Sequence, residues 1–186
     1  RQTAPVPLRQ RPRTLLRMRP AALREIRLKQ EPRARAGSGT VSGIKISGEK
    51  RLVVVSGRAH PELARQIATE LGTELLETEA RTFANGEIYA RFGESIRGSD
   101  VFVIQSHCAP INEWVMEQLI MVDAAKRASA KRITVVAPFY PYARQDKKGR
   151  GREPISARLI ADLYKAAGAD RIMSVDLHAA QIQGFF

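Results

Sequence analysis

Residues 52–55, 101–104 and 133–137 are short, mostly apolar runs in which neighbouring rather than alternate residues are apolar, and residues 172–177 read as a further strand. Successive strand side chains point to opposite faces, so a run of this kind needs both of its faces covered. Helical patterns lie between the runs. Residues 61–71 carry Leu63, Ile67 and Leu71 on one stripe, residues 112–128 are largely apolar, and Ile155, Leu159, Ile160, Leu163 and Ala167 form a third stripe that opens near Pro154. Gly72 and Gly168 stand where such helices would stop. Strand and helix in alternation predict an α/β fold with a mainly parallel sheet and helices on both faces. Two further stretches complete the pattern: residues 74–79 are expected as another strand, and residues 88–92 alternate. The Asn85-Gly86 pair before the latter is favoured in tight hairpin turns.

Charge divides the chain in two. The net charge is +12, but residues 1–50 hold ten Arg and three Lys against three Glu, which leaves the remainder near balance. Residues 1–40, rich in Arg and Pro with little apolar periodicity, are expected to form a disordered leader, with the domain spanning residues 41–186. A high isoelectric point often signals nucleic-acid binding. Here it describes the leader, so nucleic acid is not an expected partner. Cys108 is the only cysteine, which excludes an internal disulfide and a cysteine-rich zinc site and suits a reducing compartment. No apolar run is long enough to span a bilayer. A cytoplasmic protein that does not cross a membrane is expected. The sequence opens on Arg1 and stops on Gly184-Phe185-Phe186, soon after its last strand and without a terminating helix, so it is expected to be a piece of a longer protein.

In parallel sheets ligands bind outside the carboxyl ends of the strands. That edge collects residues 56–60, 106–107, 144–152 and 178, and with them His60, His107 and His178. Between the strand ending near Pro138 and the helix opening near Pro154 lies a long connection of the kind usually kept for function. Arg144, Lys147, Lys148, Arg150 and Arg152 outnumber Asp146 and Glu153 there, so its natural partner is an anion. Charged loops are also ordinary solvated surface, and a single histidine is more often structural than a ligand. Asp176 and His178 share one face of the last strand, a two-group signal for a divalent cation. Neither a P-loop nor a Gly-x-Gly-x-x-Gly turn occurs.

Four motifs in order carry a resemblance: Phe83-Ala84-Asn85-Gly86-Glu87, Pro141-Tyr142-Ala143-Arg144-Gln145-Asp146-Lys147-Lys148, Gly151-Arg152-Glu153-Pro154-Ile155-Ser156-Ala157, and Asp176 through Phe186. From about Val41 onward the chain resembles the N-terminal half of ribose-phosphate pyrophosphokinase. The resemblance implies a phosphoribosyltransferase-like fold, a homo-oligomer, and transfer of the β,γ-diphosphoryl group of ATP to ribose 5-phosphate with Mg2+. It implies that Phe83, Asn85, Gly86 and Glu87 hold adenine across a subunit boundary, and that Arg144, Gln145 and His178 contact ATP. His178 with Asp176 would hold the metal. Ser95 and Arg97 match the family's regulatory phosphate region. The Asp-Asp and Thr-Gly-x-Thr ribose-phosphate motifs of the family's second half do not occur in these residues, so they are expected to carry part of an ATP site and no turnover by themselves. The competing expectation is a noncatalytic homologue that regulates active subunits.

Overall fold

A computed structural model describes residues 51–186 of the chain. The leader expected over residues 1–40, and its boundary with the domain, lie outside the described residues. Five strands, β1 (Leu52–Ser56), β2 (Leu75–Leu76), β5 (Asp100–Ile104), β6 (Arg132–Phe139) and β7 (Arg171–Asp176), form one sheet in the order β2-β1-β5-β6-β7. Every neighbouring pair is parallel. Two shorter strands, β3 (Thr78–Thr82) and β4 (Ile88–Phe92), pair antiparallel as a separate hairpin. The helices are α1 (Pro61–Glu70), α2 (Ile111–Arg127) and α3 (Ser156–Ala167), and a short 3-10 turn runs over Ala180–Phe185.

Strand alternation distributes the core between two layers. Val53, Val55, Val101, Val103, Ile133 and Val135 face α2 and α3 and pack with Met121, Val122, Ile160 and Tyr164. Val54, Ile104 and Val136 face the other way, against Ala64 and Ala68 of α1. Each fully buried aliphatic side chain contributes about 1.5–3 kcal/mol. The register pairs Val136 with Met173, so Met173 and Val175 of β7 share the face that α1 covers farther along the sheet. They are 44% and 70% exposed, and β7 is an outer strand.

Both glycine stops fall where expected. Gly72 at φ +67° follows the end of α1, and Gly168 at φ +118° caps α3. Three boundaries differ from the sequence expectation. The strand expected over residues 74–79 is two pieces, because the chain leaves β1 after Leu76 and pairs with β4 from Thr78 onward. Strand β6 continues through Pro138 to Phe139. Pro154 lies before α3, whose N-cap is Ile155.

Candidate functional site

The basic connection leaves the carboxyl end of β6 as a series of turns fixed at its root. Tyr140 is buried and donates its hydroxyl hydrogen to the Ala157 carbonyl at 2.9 Å. Tyr142 adopts the left-handed conformation at φ 57°, uncommon for a bulky residue, and its hydroxyl bonds Asn112 of α2. The Ala157 N–H donates to the Gln145 carbonyl at 3.1 Å. Farther along, Glu153 Oε2 accepts from the Gly149 and Arg150 backbone N–H groups at 2.7 and 2.8 Å. Arg144, Lys147, Lys148, Arg150 and Arg152 are exposed. Among the described residues, none of their side chains joins a hydrogen bond or ion pair. The acid among them points elsewhere: Asp146 is buried, and its Oδ2 accepts from Gln181 Nε2 at 2.6 Å. This bond ties the basic loop to the segment that follows His178.

Asp176 ends β7 in register with Phe139 of β6, and His178 lies two residues on. Both are exposed, and among the described residues neither side chain has a partner. Among the described residues there is no group of three or more His, Cys, Asp or Glu side chains suited to a metal. A carboxylate and an imidazole two residues apart would fit Mg2+ held in part by a polyphosphate and water, since this ion takes few protein ligands in such sites. They do not make a closed structural metal site.

The β3–β4 turn is built by its own residues. Gly86, at φ +91°, donates to the Phe83 carbonyl at 2.9 Å, Phe83 N–H donates to the Glu87 carbonyl at 2.7 Å, and Asn85 Oδ1 accepts from Glu87 N–H at 3.2 Å. Phe83, Asn85, Gly86 and Glu87 are all exposed. The Arg81 guanidinium lies 5.5 Å from the Phe83 ring centroid and 4.7 Å from that of Tyr89, and the two rings meet edge to face. The turn therefore exposes an aromatic ring, a guanidinium and the Glu87 carboxylate. It belongs to a different sheet from Arg144 and His178, and among the described residues no hydrogen bond or ion pair joins the two groups. Ser95 and Arg97 are exposed in the connection that enters the amino end of β5, the edge opposite Arg144 and His178.

Residues 52–168 match the family model for the N-terminal domain of ribose phosphate pyrophosphokinase. The chain belongs to this family. It is 69% identical over 146 residues to ribose-phosphate pyrophosphokinase of Streptomyces coelicolor and 70% identical over 137 residues to that of Mycobacterium tuberculosis. These alignments cover 78% and 74% of this chain but 45% and 42% of the relatives. The crystal structure of phosphoribosylpyrophosphate synthetase from Mycobacterium smegmatis superposes with a TM-score of 0.73 at 70% identity, over 74% of this chain and 46% of that one. The chain thus spans less than half the length of the pyrophosphokinases it matches. Among the described residues, no helix is long and apolar enough to cross a membrane.

Within this pyrophosphokinase domain the histidines have different surroundings. His60 caps α1, its Nδ1 accepting from Leu63 N–H at 3.0 Å. His107 is 6% exposed, with Nδ1 3.3 Å from the Phe139 carbonyl and Nε2 3.2 Å from the Tyr164 hydroxyl. Burial lowers its pKa to about 4, against the opposing pull of the Phe139 carbonyl and Gln118. Burial likewise raises the pKa of the Tyr164 hydroxyl, which donates to Gln118 Oε1 at 2.7 Å. Of the three, only His178 has a free, exposed ring at the ligand edge.

The sequence reading passed over a second polar cluster. Glu117, in the middle of α2, is fully buried. Its Oε1 accepts from Arg58 N–H at 2.6 Å and Gln105 Nε2 at 2.9 Å, and its Oε2 accepts from Arg58 Nε at 2.5 Å. Gln105 Oε1 accepts in turn from Ala59 N–H at 3.2 Å. Gly57 leaves the room for this, because a Cβ there would come within 2.4 Å of the Gln105 carboxamide. The available signal was a carboxylate one helical turn before Met121 in a largely apolar helix.

Proposed function

We propose that this domain supplies the nucleotide half of a ribose-phosphate pyrophosphokinase, which transfers the β,γ-diphosphoryl group of ATP to the anomeric hydroxyl of ribose 5-phosphate and releases AMP. The observation that carries this reading is the exposed Arg144, Lys147 and Lys148 on a loop fastened by Asp146 and Gln181 to the segment bearing His178. Phosphoryl transfer requires positioning and neutralisation of oxygen charge, and needs no protein nucleophile. Arg144 donates to phosphoryl oxygens as a planar, permanently charged fork, with Gln145 beside it. Lys147 and Lys148 add positive potential where negative charge accumulates. Asp176 and His178 would hold Mg2+, which would supply further neutralisation of the polyphosphate charge.

Phe83, Asn85, Gly86 and Glu87 take the adenine, Phe83 by stacking and the other residues by edge hydrogen bonds. Their separation from Arg144 within one chain suits a homo-oligomer in which the turn completes a neighbour's site. Ser95 and Arg97, at the far edge, are assigned to a regulatory phosphate. Ribose 5-phosphate is assigned to the second half, so turnover belongs to an assembly containing both halves. A cytoplasmic location follows from this role in nucleotide supply.

Arg144→Ala and His178→Ala, placed in a synthetase carrying this half, separate the two roles. Arg144→Ala is expected to raise the ATP KM roughly tenfold or more even at saturating magnesium, the scale of a lost charge-assisted hydrogen bond. The His178→Ala defect is expected to shrink as magnesium is raised. Both side chains are exposed, so melting temperatures should stay near wild type. Wild-type kinetics in both variants would overturn the assignment.

A further inference from the structure

Among the described residues, one hydrogen bond joins the hairpin Thr78–Phe92 to the rest of the domain: Arg58 Nη2 donates to Thr82 Oγ1 at 3.0 Å. Its donor is held rigidly. The backbone N–H and Nε of Arg58 both bond Glu117, whose carboxylate is fully buried and fixed from its other side by Gln105. Glu113 Oε1 lies 3.8 Å from the same guanidinium. A long cationic side chain ordinarily samples many rotamers. Here three donors of one residue are committed, so the planar guanidinium has one orientation. Thr82 is the last residue of β3 and precedes Phe83 directly.

We propose that Arg58 is a positioning residue for the nucleotide turn, acting as a brace from buried Glu117 to Thr82 that sets the direction in which Phe83, Asn85 and Glu87 are presented. The functional half of this statement rests on the adenine assignment above. The brace itself rests on geometry alone. It links the carboxyl end of β1 to the turn end of a hairpin whose other strand, through Ala90 and Phe92, packs against the core.

Arg58→Met removes the brace but also strands the Glu117 charge, so Thr82→Val is the sharper variant, since it leaves Arg58 and Glu117 bonded. Backbone amide exchange of the 186-residue chain reads the brace, and the ATP KM and kcat of a synthetase carrying this half read its consequence. Thr82→Val is expected to speed exchange across residues 78–92 several-fold without changing residues 132–139, and to raise the ATP KM about tenfold with kcat within about twofold. Thr82→Ser, which keeps the hydroxyl, should restore both. Unchanged exchange in the hairpin would overturn the brace. Faster exchange with an unchanged ATP KM would overturn the adenine assignment of the turn, and with it the functional half of the proposal, while the brace stands.

Discussion

Glu117→Ala is expected to destabilise the domain by about 3–5 kcal/mol, the scale observed when one partner of a buried ion pair is removed. Three donors lose their acceptor at once: Arg58 N–H, Arg58 Nε and Gln105 Nε2. The Gln105 carboxamide, 1% exposed, cannot turn to water without opening the packing between α2 and the loop after β1, whereas the Arg58 side chain, 32% exposed, reaches solvent in part. A domain of this size has about 5–15 kcal/mol in total, so the variant should populate unfolded chain well below the wild-type midpoint. Glu113→Ala is the control. Its carboxylate is 3.8 Å from Arg58 with a side chain 37% exposed, and its removal should cost under about 1 kcal/mol. Urea midpoints with an unchanged slope measure both. A Glu117→Ala midpoint close to that of Glu113→Ala would refute the account of this cluster.

The second large effect is a loss of stability on acidification that originates at His107. Its folded pKa is lowered to about 4 from an ordinary 6.5, chiefly by burial. Between those values the unfolded chain binds a proton that the folded chain refuses, so stability rises with pH across the window and is flat above it. Lowering the pH from about 6.5 to about 4 should therefore cost up to about 3 kcal/mol through this residue. Carboxylates titrate in the lower part of the same window. The informative quantity is thus the difference between wild type and His107→Gln, which share every carboxylate. Denaturation curves taken across the window should show wild type losing the more stability on acidification. Parallel losses would mean that burial does not hold the imidazole neutral.

The parallel sheet was legible because its signal is local: residues 101–104 are apolar without alternation, and only burial of both faces accommodates that. Gly72, Gly168 and the Asn85-Gly86 pair were legible for a similar reason, since each meets a backbone requirement within its own turn. The partner switch at Glu77 was not, because nothing in residues 74–79 says that β1 will hold two residues and β4 the next five. The basic loop announced itself by charge, and its cations are exposed in the fold. The fates of His60 and His107 depend on the Leu63 N–H, the Phe139 carbonyl and Tyr164, and the last two lie far away in sequence. Arg58 escaped notice because its importance comes from Glu117 and Thr82, on two elements that meet only in the folded chain.

Among the described residues, strand β7 pairs on one side only and shows Met173 and Val175 to solvent on a face that α1 does not reach. An open strand edge beside bare aliphatic side chains is a template, and it accepts any extended segment that can complete the ladder. As concentration rises, another molecule of the same chain becomes the most available such segment. That border is where the sheet would pair with a second copy, and a single charge introduced at the exposed Met173, three residues before Asp176, would oppose such pairing.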